Sequence, residues 1–324
     1  MTAGLMGVIL AAGRGERMAP FGQAIPKAAL PIANKPLIEY QIEQMRSLGI
    51  TEVAVLIGHR GYQIASILGN GERLGIRVRY VEQTEMAGIA HALGQMEKVV
   101  TGRFLLMLGD IFFEPRRLAD MVETFDRHGC AGVLAAKDEP DPVAIRKNFA
   151  ILRDGEGRVT RVIEKPRHAE NRLKGVGLYL FDPVIFDAVK RTPRTAMRNE
   201  YELTDSIQIM IDQGHHVRVS DCIADDINLT FPSDLLRCNL RVAASLGSGN
   251  VVDASARLHP DAVMENVVVG RSASVERGIT VRRSVILDEA VVKGGQDLDG
   301  FVISPTRMVD CRTEIADWPA GLGL

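Results

Sequence analysis

The chain has 324 residues, of which 46% are hydrophobic and 25% are charged, and its formal net charge is −2. This length and composition fit a globular protein with one large domain and an appendage, or with two domains. The small charge, spread along the chain, argues against nucleic-acid and membrane binding. No apolar run approaches the roughly 18 residues that a membrane-spanning helix needs.

The four cysteines fit no zinc-binding or redox spacing, so we expect buried, inert thiols in a reducing compartment. The N-terminus enters an apolar, strand-like run almost at once, without the basic segment and cleavage site of a secretory signal. We therefore predict a cytoplasmic protein.

From residue 7 to about residue 240, short apolar runs alternate with helical patterns, beginning with "GVILAA". In "KPLIEYQIEQMRSLG", Ile38, Ile42 and Met45 share one helical face, and Gly49 is placed to end the helix. This alternation predicts an α/β fold with a three-layer, mostly parallel sheet. Ligands of such sheets bind where strands end, and the stretches "ILAAGRG" and "LLMLGD" carry polar residues at those positions.

After residue 250 the pattern changes to an apolar residue at every sixth position, at Val269, Val275, Val281 and Leu287. Leu258 and Met264 are also six apart, but one residue out of phase with the others. The spacing favours a hexapeptide β-helix of about three coils over a pair of irregular hairpins. We therefore divide the chain into a domain at 1–243, a β-helix at 250–304 and a loosely ordered tail at 305–324.

A glycine-rich turn, "AAGRGERMAPFGQAIPK", follows the first predicted strand. A dinucleotide-binding turn would need a glycine where Met18 stands, and prolines interrupt the stretch that follows. The phosphate-binding pattern GxxxxGK[ST] is absent as well. Exposed backbone N–H groups beside Arg14, Arg17 and Lys27 suit a polyanion, while a simple strand-ending turn with solvated arginines is the alternative.

The stretch "LAAGRGERMAPFGQAIPKAALPIANKPLIEY" resembles the signature of sugar-1-phosphate nucleotidyltransferases, in particular glucose-1-phosphate thymidylyl- and uridylyltransferases. The resemblance continues in order through "EQTEMAGIAHAL", "MLGD", "IEKP", "GVGLYLF", "EYELTDSIQ" and "DDINLTFPSDL". It implies a Rossmann-like nucleotidyltransferase fold followed by a short left-handed parallel β-helix, a common appendage in this family.

In this family the sugar phosphate attacks the α-phosphorus of a nucleoside triphosphate and expels pyrophosphate, so the protein mainly positions and neutralises its substrates. The resemblance implies the catalytic residues Arg17, Lys27 and Asp110. Arg17 would hold the β- and γ-phosphates, and Lys27 would bridge the nucleophile and the α-phosphate. The implied nucleotide-binding residues are Leu10, Ala11, Gly13, Arg14, Gly15, Gln83 and Gly88.

The resemblance also implies a Mg²⁺ cofactor held by Asp110 and Asp226, because Mg²⁺ prefers carboxylate and phosphate oxygens. Asp225 is the less favoured neighbour, since Asp226 directly precedes "IN". Glu164 and Lys165 of "IEKP", together with Glu202, would bind the sugar phosphate.

The Gln83 amide can pair with uracil or thymine, which favours dTTP or UTP. Relatives that use ATP carry a similar glutamine, so the base stays open.

The departures from the family pattern cluster on the sugar side, at Ile111, Ala150, Gly175 and Ala224. Family members that use glucose 1-phosphate tend to have asparagine, glycine, asparagine and an aromatic residue at these places. Buried glucose hydroxyls without partners would cost about 1–3 kcal/mol each. We therefore expect a substrate other than plain glucose 1-phosphate, such as a cyclitol or a modified-sugar phosphate.

The predicted function is thus nucleotidyl transfer from a nucleoside triphosphate to a sugar 1-phosphate or similar phosphate. A non-catalytic regulatory or scaffolding subunit is the main alternative. Two weaker alternatives are a bifunctional enzyme with acyltransferase activity in the β-helix and a nicotinamide oxidoreductase. The partners are these two small-molecule substrates, with no nucleic acid and no membrane. We also expect a homo-oligomer in which the β-helix is a subunit contact or a lid.

Overall fold

The structure is a computed structural model that describes residues 4–168, 171–196 and 198–315. It separates into two compact units. The first unit comprises the residues up to Gly13 together with Gln41–Asp226, and the second comprises Arg14–Tyr40 together with the residues from Ile227 onward. The predicted domain boundaries remain a prediction.

The strands and helices up to Ser245 follow the predicted alternation, with extra short strands between them. The strands are β1 Met6–Ala11, β2 Pro31–Ile32, β3 Lys35–Pro36, β4 Glu52–Ile57, β5 Arg77–Glu82, β6 Phe104–Leu108, β7 Ile111–Pro115, β8 Gly132–Asp138, β9 Phe149–Arg153, β10 Val159–Glu164, β11 Leu173–Phe181, β12 Val217–Ser220 and β13 Ile223–Asn228. The helices are α1 Phe21–Ala24, α2 Leu37–Ser47, α3 Gly61–Leu68, α4 Ile89–Gly94, α5 Ala119–His128, α6 Pro142–Lys147, α7 Ile185–Arg191, α8 Leu203–Asp212 and α9 Pro232–Ser245.

The main sheet of the first unit has the strand order β10–β9–β11–β6–β1–β4–β5, and β8 pairs with β11 and β12. β6, β1, β4 and β5 run parallel, as the alternation of strands and helices predicted. β11 runs antiparallel to β6, β8 and β9. Its direction needs no helical crossover, and the chain passes from β10 to β11 without a helix.

Helices cover both faces of this sheet, which gives the predicted three layers. At Gly7 in β1, a Cβ would lie 2.5 Å from the Met45 sulfur of α2. The next residue, Val8, belongs to a buried cluster with residues of α4, α7 and α8. Because successive residues of a strand face opposite sides, α2 lies on one face and these three helices lie on the other. The predicted helical face of Ile38, Ile42 and Met45 is fully buried.

The part of the second unit after Ser245 is built from short parallel strands. They are β14 Val251–Val252, β15 Arg257–Leu258, β16 Val263–Val269, β17 Ser274–Val275, β18 Thr280–Ile286, β19 Val291–Val292, β20 Leu298–Asp299 and β21 Phe301–Ile303, followed by β22 Met308–Asp310 and helix α10 Arg312–Ile315. Residues 305–315, predicted as a loosely ordered tail, therefore form a strand and a short helix. Residues 316–324 of that tail lie outside the described residues.

These strands wind into a three-sided parallel β-helix whose coil is 17 residues long. Val263 pairs with Thr280, and Val281 pairs with Leu298; the hydrogen bonds between coils have the same offset of 17 residues. The six-residue spacing is therefore broken once in each coil, where a side of the solenoid is one residue shorter. Its left-handed sense remains a prediction from the family resemblance.

Two asparagine side chains join segments of the second unit that lie far apart in the sequence. Asn239 of α9 is fully buried; its side chain accepts from the Ala33 amide at 2.8 Å and donates to the Pro31 carbonyl at 3.0 Å. The Asn34 side chain donates to the Val269 carbonyl at 2.8 Å. The β2–β3 turn is thus fixed to both α9 and the β-helix.

None of the four cysteines forms a disulfide, and each of them is buried, as predicted. Burial raises the pKa of Cys222 and Cys311 to about 12, which makes both thiols unreactive near neutral pH. In the described part of the chain, no helix has both the length and the apolar composition needed to cross a membrane.

Candidate active site

Glycines allow the carboxyl ends of three parallel strands to approach one another closely. Gly58 follows β4, and a Cβ there would lie 2.8 Å from the Ala12 carbonyl oxygen. Gly109 follows β6; a Cβ there would lie 2.8 Å from the Leu10 carbonyl oxygen, and its amide donates to that oxygen at 2.9 Å. The predicted nucleotide-binding residues Leu10 and Ala11 therefore lie where the ends of β4, β1 and β6 meet.

The predicted base-reading segment begins at the same edge of the sheet. Gln83 directly follows β5, and its backbone N–H donates to the Ile57 carbonyl at the end of β4 at 2.7 Å. The side chain of Gln83 is largely buried. A buried amide side chain at the end of a strand is suited to pairing with one edge of a ligand.

Gly88 permits a close contact between two segments of the first unit. Its φ of 107° lies in a region that side chains rarely adopt, and a Cβ would lie 2.5 Å from the Tyr201 carbonyl oxygen. The Tyr201 amide donates to Ala87 at 2.7 Å, and its carbonyl accepts from Ala90 at 2.9 Å. The base-side segment is thereby fixed directly beside Glu202, the next residue along the chain.

The structure brings the predicted sugar-phosphate residues Glu164, Lys165 and Glu202 together around Arg198. The Arg198 guanidinium donates to Glu202 at 2.7 Å and to Glu164 at 3.4 Å. The Lys165 ammonium lies 3.5 Å from Glu164, and the Thr204 hydroxyl donates to the same carboxylate at 3.3 Å. Two carboxylates and two cations therefore occupy one small region at the end of β10.

Charge and backbone geometry both set this group apart from an ordinary strand end. Burial, and then the Glu164 carboxylate, raise the pKa of Glu202, although Arg198 and Lys165 oppose the shift. Lys165 has a φ of 41°, a left-handed conformation that is unusual for a lysine. Its amide donates to the Asn148 carbonyl at 2.7 Å, which holds the residue in that conformation.

The predicted metal ligands Asp110 and Asp226 lie at the same end of a second, two-stranded sheet formed by β7 and β13. The Arg116 amide, just after β7, donates to the Cys222 carbonyl, just before β13, at 2.8 Å. The two strands therefore run antiparallel. Asp110, which directly precedes β7, shares an end of this sheet with Asp226 in the second half of β13.

The Asp226 carboxylate forms ion pairs with two lysines. The Lys174 ammonium lies 2.8 Å and 3.0 Å from its two oxygens, and the Lys137 ammonium lies 3.1 Å from one of them. Lys137 also binds Asp225 and lies 3.3 Å from Glu139. Burial alone would lower the pKa of Lys137, but Asp226 and Asp225 outweigh it and raise that pKa, so the lysine stays charged.

These contacts decide how well the predicted ligands fit a divalent metal. Among the described residues, no group of three or more histidines, cysteines and carboxylates is disposed to hold a metal ion. Both oxygens of Asp226 accept from Lys174, so this carboxylate does not fit a metal ligand in the arrangement seen here. One carboxylate with phosphate oxygens and waters can nevertheless hold Mg²⁺.

The predicted loop residues of the second unit lie in a compact turn. Gly15 has a φ of 67° and precedes a 3₁₀ turn at Glu16–Met18, and a Cβ on Gly22 would lie 2.3 Å from the Gly15 carbonyl oxygen. The exposed Arg17 guanidinium lies 6.0 Å from the centre of the Phe231 ring. Lys27 begins a further 3₁₀ turn, with its Cγ 3.3 Å from a Cβ built on Gly15. After β1 the chain thus forms the 3₁₀ turn at Glu16–Met18 and then the four-residue helix α1.

Comparison with known proteins assigns this arrangement to a family. The profile of the family described as Nucleotidyl transferase matches residues 6–225, more than half of the chain. The chain belongs to the nucleotidyl transferase family. The predicted family, fold and enzyme class are therefore confirmed: the protein is a nucleotidyltransferase.

Two relatives and one solved structure illustrate the likeness. The low-salt glycan biosynthesis nucleotidyltransferase of Haloferax volcanii is 34% identical over 66% of this chain, and the match spans 59% of that relative's length. The glucose-1-phosphate thymidylyltransferase of Streptomyces antibioticus is 30% identical over 94% of this chain and 83% of its own length. A structure of UDP-glucose pyrophosphorylase complexed with UDP-glucose has a TM-score of 0.66 at 22% identity and covers 74% of this chain and 99% of its own; at that identity it shows the fold. Members of the family typically use a divalent metal.

Sequence reasoning missed several residues of this nucleotidyltransferase site, namely Gly58, Lys137, Lys174 and Arg198. Gly58 could have been predicted from the sequence, because it directly follows a predicted strand, as Gly109 does. Arg198 lies four residues before Glu202 but outside the helix that begins at Leu203, so helical periodicity did not point to it. The two lysines meet only through the pairing of β8 with β11.

Proposed function

We propose that this nucleotidyltransferase transfers a nucleotidyl group from a nucleoside triphosphate to a sugar 1-phosphate or a sugar-like phosphate. An oxygen of the acceptor phosphate attacks the α-phosphorus. A new P–O bond forms, and the bond from the α-phosphorus to the bridging oxygen of the β-phosphate breaks. Pyrophosphate leaves with that oxygen, and the product is a nucleotide sugar. The names of the relatives from Haloferax volcanii and Streptomyces antibioticus support this reaction class.

The observation that carries the proposal is the contact between Gly88 and Tyr201. It joins the segment predicted to read the base, Gln83–Gly88, to the segment that contains Glu202 and its partner Arg198. Nucleotidyl transfer needs an activated nucleotide and an acceptor phosphate held side by side, and alignment of this kind can supply much of the rate enhancement. A non-catalytic subunit would have no need to keep the two segments together.

For the nucleotide, we propose dTTP or UTP, with Gln83 pairing with the base. The buried position of this amide at the end of β5 supports the assignment, since a buried amide side chain gains most from a ligand that satisfies it. We propose Mg²⁺ as the divalent metal, with Asp110 among its ligands. The ion supplies positive charge to the triphosphate.

The roles of Arg17 and Lys27 rest on the family resemblance and on the chemistry of their side chains. The planar guanidinium of Arg17 suits two phosphate oxygens at once, and the exposure of its side chain leaves it accessible. The compact ammonium of Lys27 suits a single point of high negative charge. We propose that Arg17 holds the β- and γ-phosphates, and that Lys27 reduces the repulsion between the two anionic substrates.

For the acceptor, we propose a ring less polar than glucose. A Cβ on Gly175 would lie 1.9 Å from the Phe149 ring, so the space of a longer side chain is taken by an aromatic one. Ile111 is 2% exposed and Ala150 is 2% exposed. None of the four departures from the family pattern, at Ile111, Ala150, Gly175 and Ala224, offers a side-chain hydrogen bond to a sugar hydroxyl. A cyclitol phosphate or a modified-sugar phosphate is therefore the second candidate acceptor.

The test is a matrix of the common nucleoside triphosphates against sugar and cyclitol phosphates, with pyrophosphate release as the readout. We expect release that depends on both substrates, with a pyrimidine nucleotide preferred and glucose 1-phosphate not the best acceptor. If glucose 1-phosphate were the best acceptor of a broad panel, the proposal of an acceptor ring less polar than glucose would be wrong. Failure of every pair to release pyrophosphate would favour the non-catalytic subunit.

We also propose a homo-oligomer that uses the β-helix. Valines are exposed on the outside of the solenoid, with Val252, Val263 and Val291 each more than 40% accessible. Association with a second copy would cover such side chains. Deleting residues 251–324 should convert the oligomer into monomers or aggregates in sedimentation velocity. A truncated chain that kept its original oligomeric state would exclude this role.

A further inference from the structure

We propose that the Lys174 ammonium takes the place of a metal ion at Asp226, so that this chain binds its divalent cation through Asp110 without Asp226. The inference rests on the proposed nucleotidyl transfer, for which the family resemblance implies both aspartates as metal ligands. It concerns which residues of this chain supply positive charge at that carboxylate.

The first support is the geometry of the contact. The Lys174 ammonium lies 2.8 Å and 3.0 Å from the two Asp226 oxygens, so one donor group engages the whole carboxylate. A metal ion would need at least one of these oxygens at a shorter distance and in the same region of space. The Lys137 ammonium, 3.1 Å from one oxygen, adds a second cation to the same group.

The second support is burial. The side chains of Lys174 and Asp226 are 4% and 3% exposed. Separating a buried ion pair leaves each charge without compensation, which is far costlier than separating an exposed pair. A metal that displaced Lys174 would therefore leave a buried ammonium in need of another partner. The nearby carboxylate of Glu139, at 3.8 Å from Lys174, is already 3.3 Å from Lys137.

The third support is the position of both lysines in the sheet. Lys174 of β11 is the direct cross-strand partner of Lys137 in β8, and its other neighbour is Ala150 in β9. Pairing on both sides fixes the backbone, so the ammonium could leave Asp226 only through a change of side-chain rotamer, and that side chain is 4% exposed. Lys174 is thus a positioning residue, which fixes and neutralises Asp226 without contact with the reacting atoms.

Thermal unfolding of the full chain in EDTA and in millimolar Mn²⁺ tests the inference without any substrate. Wild type and the control Lys190→Met, which removes an exposed lysine paired with Glu97, should have the same Tm in both buffers. Lys174→Met should have a lower Tm in EDTA and regain about 2–4 °C in Mn²⁺. The Asp226 Oδ2 atom, which accepts from Lys174, is then open to the metal, while Lys137 still pairs with Oδ1. The double variant Lys174→Met/Asp226→Asn should not respond to Mn²⁺. A wild type stabilised by Mn²⁺ as much as Lys174→Met, or a Lys174→Met chain that ignores Mn²⁺, would overturn the proposal.

A second measurement applies even if Lys174→Met alone does not fold. The Mg²⁺ concentration for half-maximal pyrophosphate release should rise about tenfold or more in Asp110→Asn, which loses a metal ligand. It should stay within about twofold of wild type in Lys174→Met/Asp226→Asn, where the pair is removed as a neutral unit. An equal rise in both variants would show that Asp226 ligates the metal. Absence of pyrophosphate release from wild type would refute the proposed function and leave the unfolding test intact.

Discussion

A single added methyl group at Gly175 should destabilise the chain through its collision with Phe149. Gly175 and Phe149 are cross-strand partners in β11 and β9. A Cβ on Gly175 would lie 1.9, 2.2 and 2.4 Å from three carbons of the Phe149 ring, whereas ordinary contacts begin near 3.4 Å. The ring would have to move by more than 1 Å, yet it is 5% exposed and packs 6.1 Å from the Tyr179 ring.

The expected loss for Gly175→Ala is about 1–3 kcal/mol of unfolding free energy, the usual cost of overpacking a filled core. Phe149→Leu should lose a similar amount, because it gives up apolar contacts and the stacking on Tyr179. The double variant should be more stable than the sum of the two losses predicts, by about 1 kcal/mol, because the smaller side chain makes room for the methyl group.

Urea unfolding followed by circular dichroism measures all three variants. Gly155→Ala is the matched control, since no atom lies within 4 Å of a Cβ at that position, and its effect should stay within about 0.5 kcal/mol. The steric reasoning fails if Gly175→Ala behaves like Gly155→Ala, or if the losses of the two single variants add without coupling.

Three further predictions concern the candidate site. Gly88→Ala should cost about 2 kcal/mol or more and reduce pyrophosphate release, because of its φ of 107° and its contact with Tyr201; an unchanged Tm would contradict this. Burial and Glu164 raise the pKa of Glu202, so the folded chain holds this proton more tightly than the unfolded chain. Wild type should lose stability relative to Glu202→Gln as the pH rises from about 4 through the raised value, and equal Tm changes across that range would refute the shift. Arg17→Lys should lower kcat/KM about tenfold or more with an unchanged Tm, because a point charge replaces a planar fork on an exposed side chain; steady-state kinetics would show it.

The sequence predicted best those parts of the fold whose structure follows from the apolar pattern of one short segment. The face of α2 was readable because Ile38, Ile42 and Met45 recur at helical spacing and all pack inward. The parallel strands around β1 were readable as continuous apolar runs, since such strands are buried on both faces. Antiparallel β11 was not, because its direction depends on partners far away in the sequence.

In the β-helix, the six-residue spacing of apolar residues correctly predicted the fold but did not give the 17-residue length of the coil. Leu287 continued the six-residue spacing and is buried, but the residue equivalent to Val269 in the next coil is its neighbour Ile286, which is buried too. Either residue satisfies an apolar pattern. The phase difference of Leu258 and Met264 was the visible trace of the 17-residue coil.

In the candidate site, too, single motifs were predictable from the sequence, but contacts between distant segments were not. Resemblance selected Asp226 over Asp225 by its place before "IN", but nothing in that motif indicates that Lys137 and Lys174 would reach its carboxylate. From the sequence alone, a lysine within a strand is expected to point into solvent. Only the pairing with the neighbouring strand shows that it has a buried partner. Such contacts become visible only when the pairing of β8 with β11 brings the two side chains to one place.

The 17-residue coil makes the solenoid modular in length. Removing or duplicating one whole coil keeps every inward residue inward and every strand above its partner, because the register repeats with that offset. A single residue inserted within a strand does the opposite, because it turns the buried valines of that strand outward. The length of this appendage can therefore vary among related chains in whole coils, while point insertions are tolerated only at its corners.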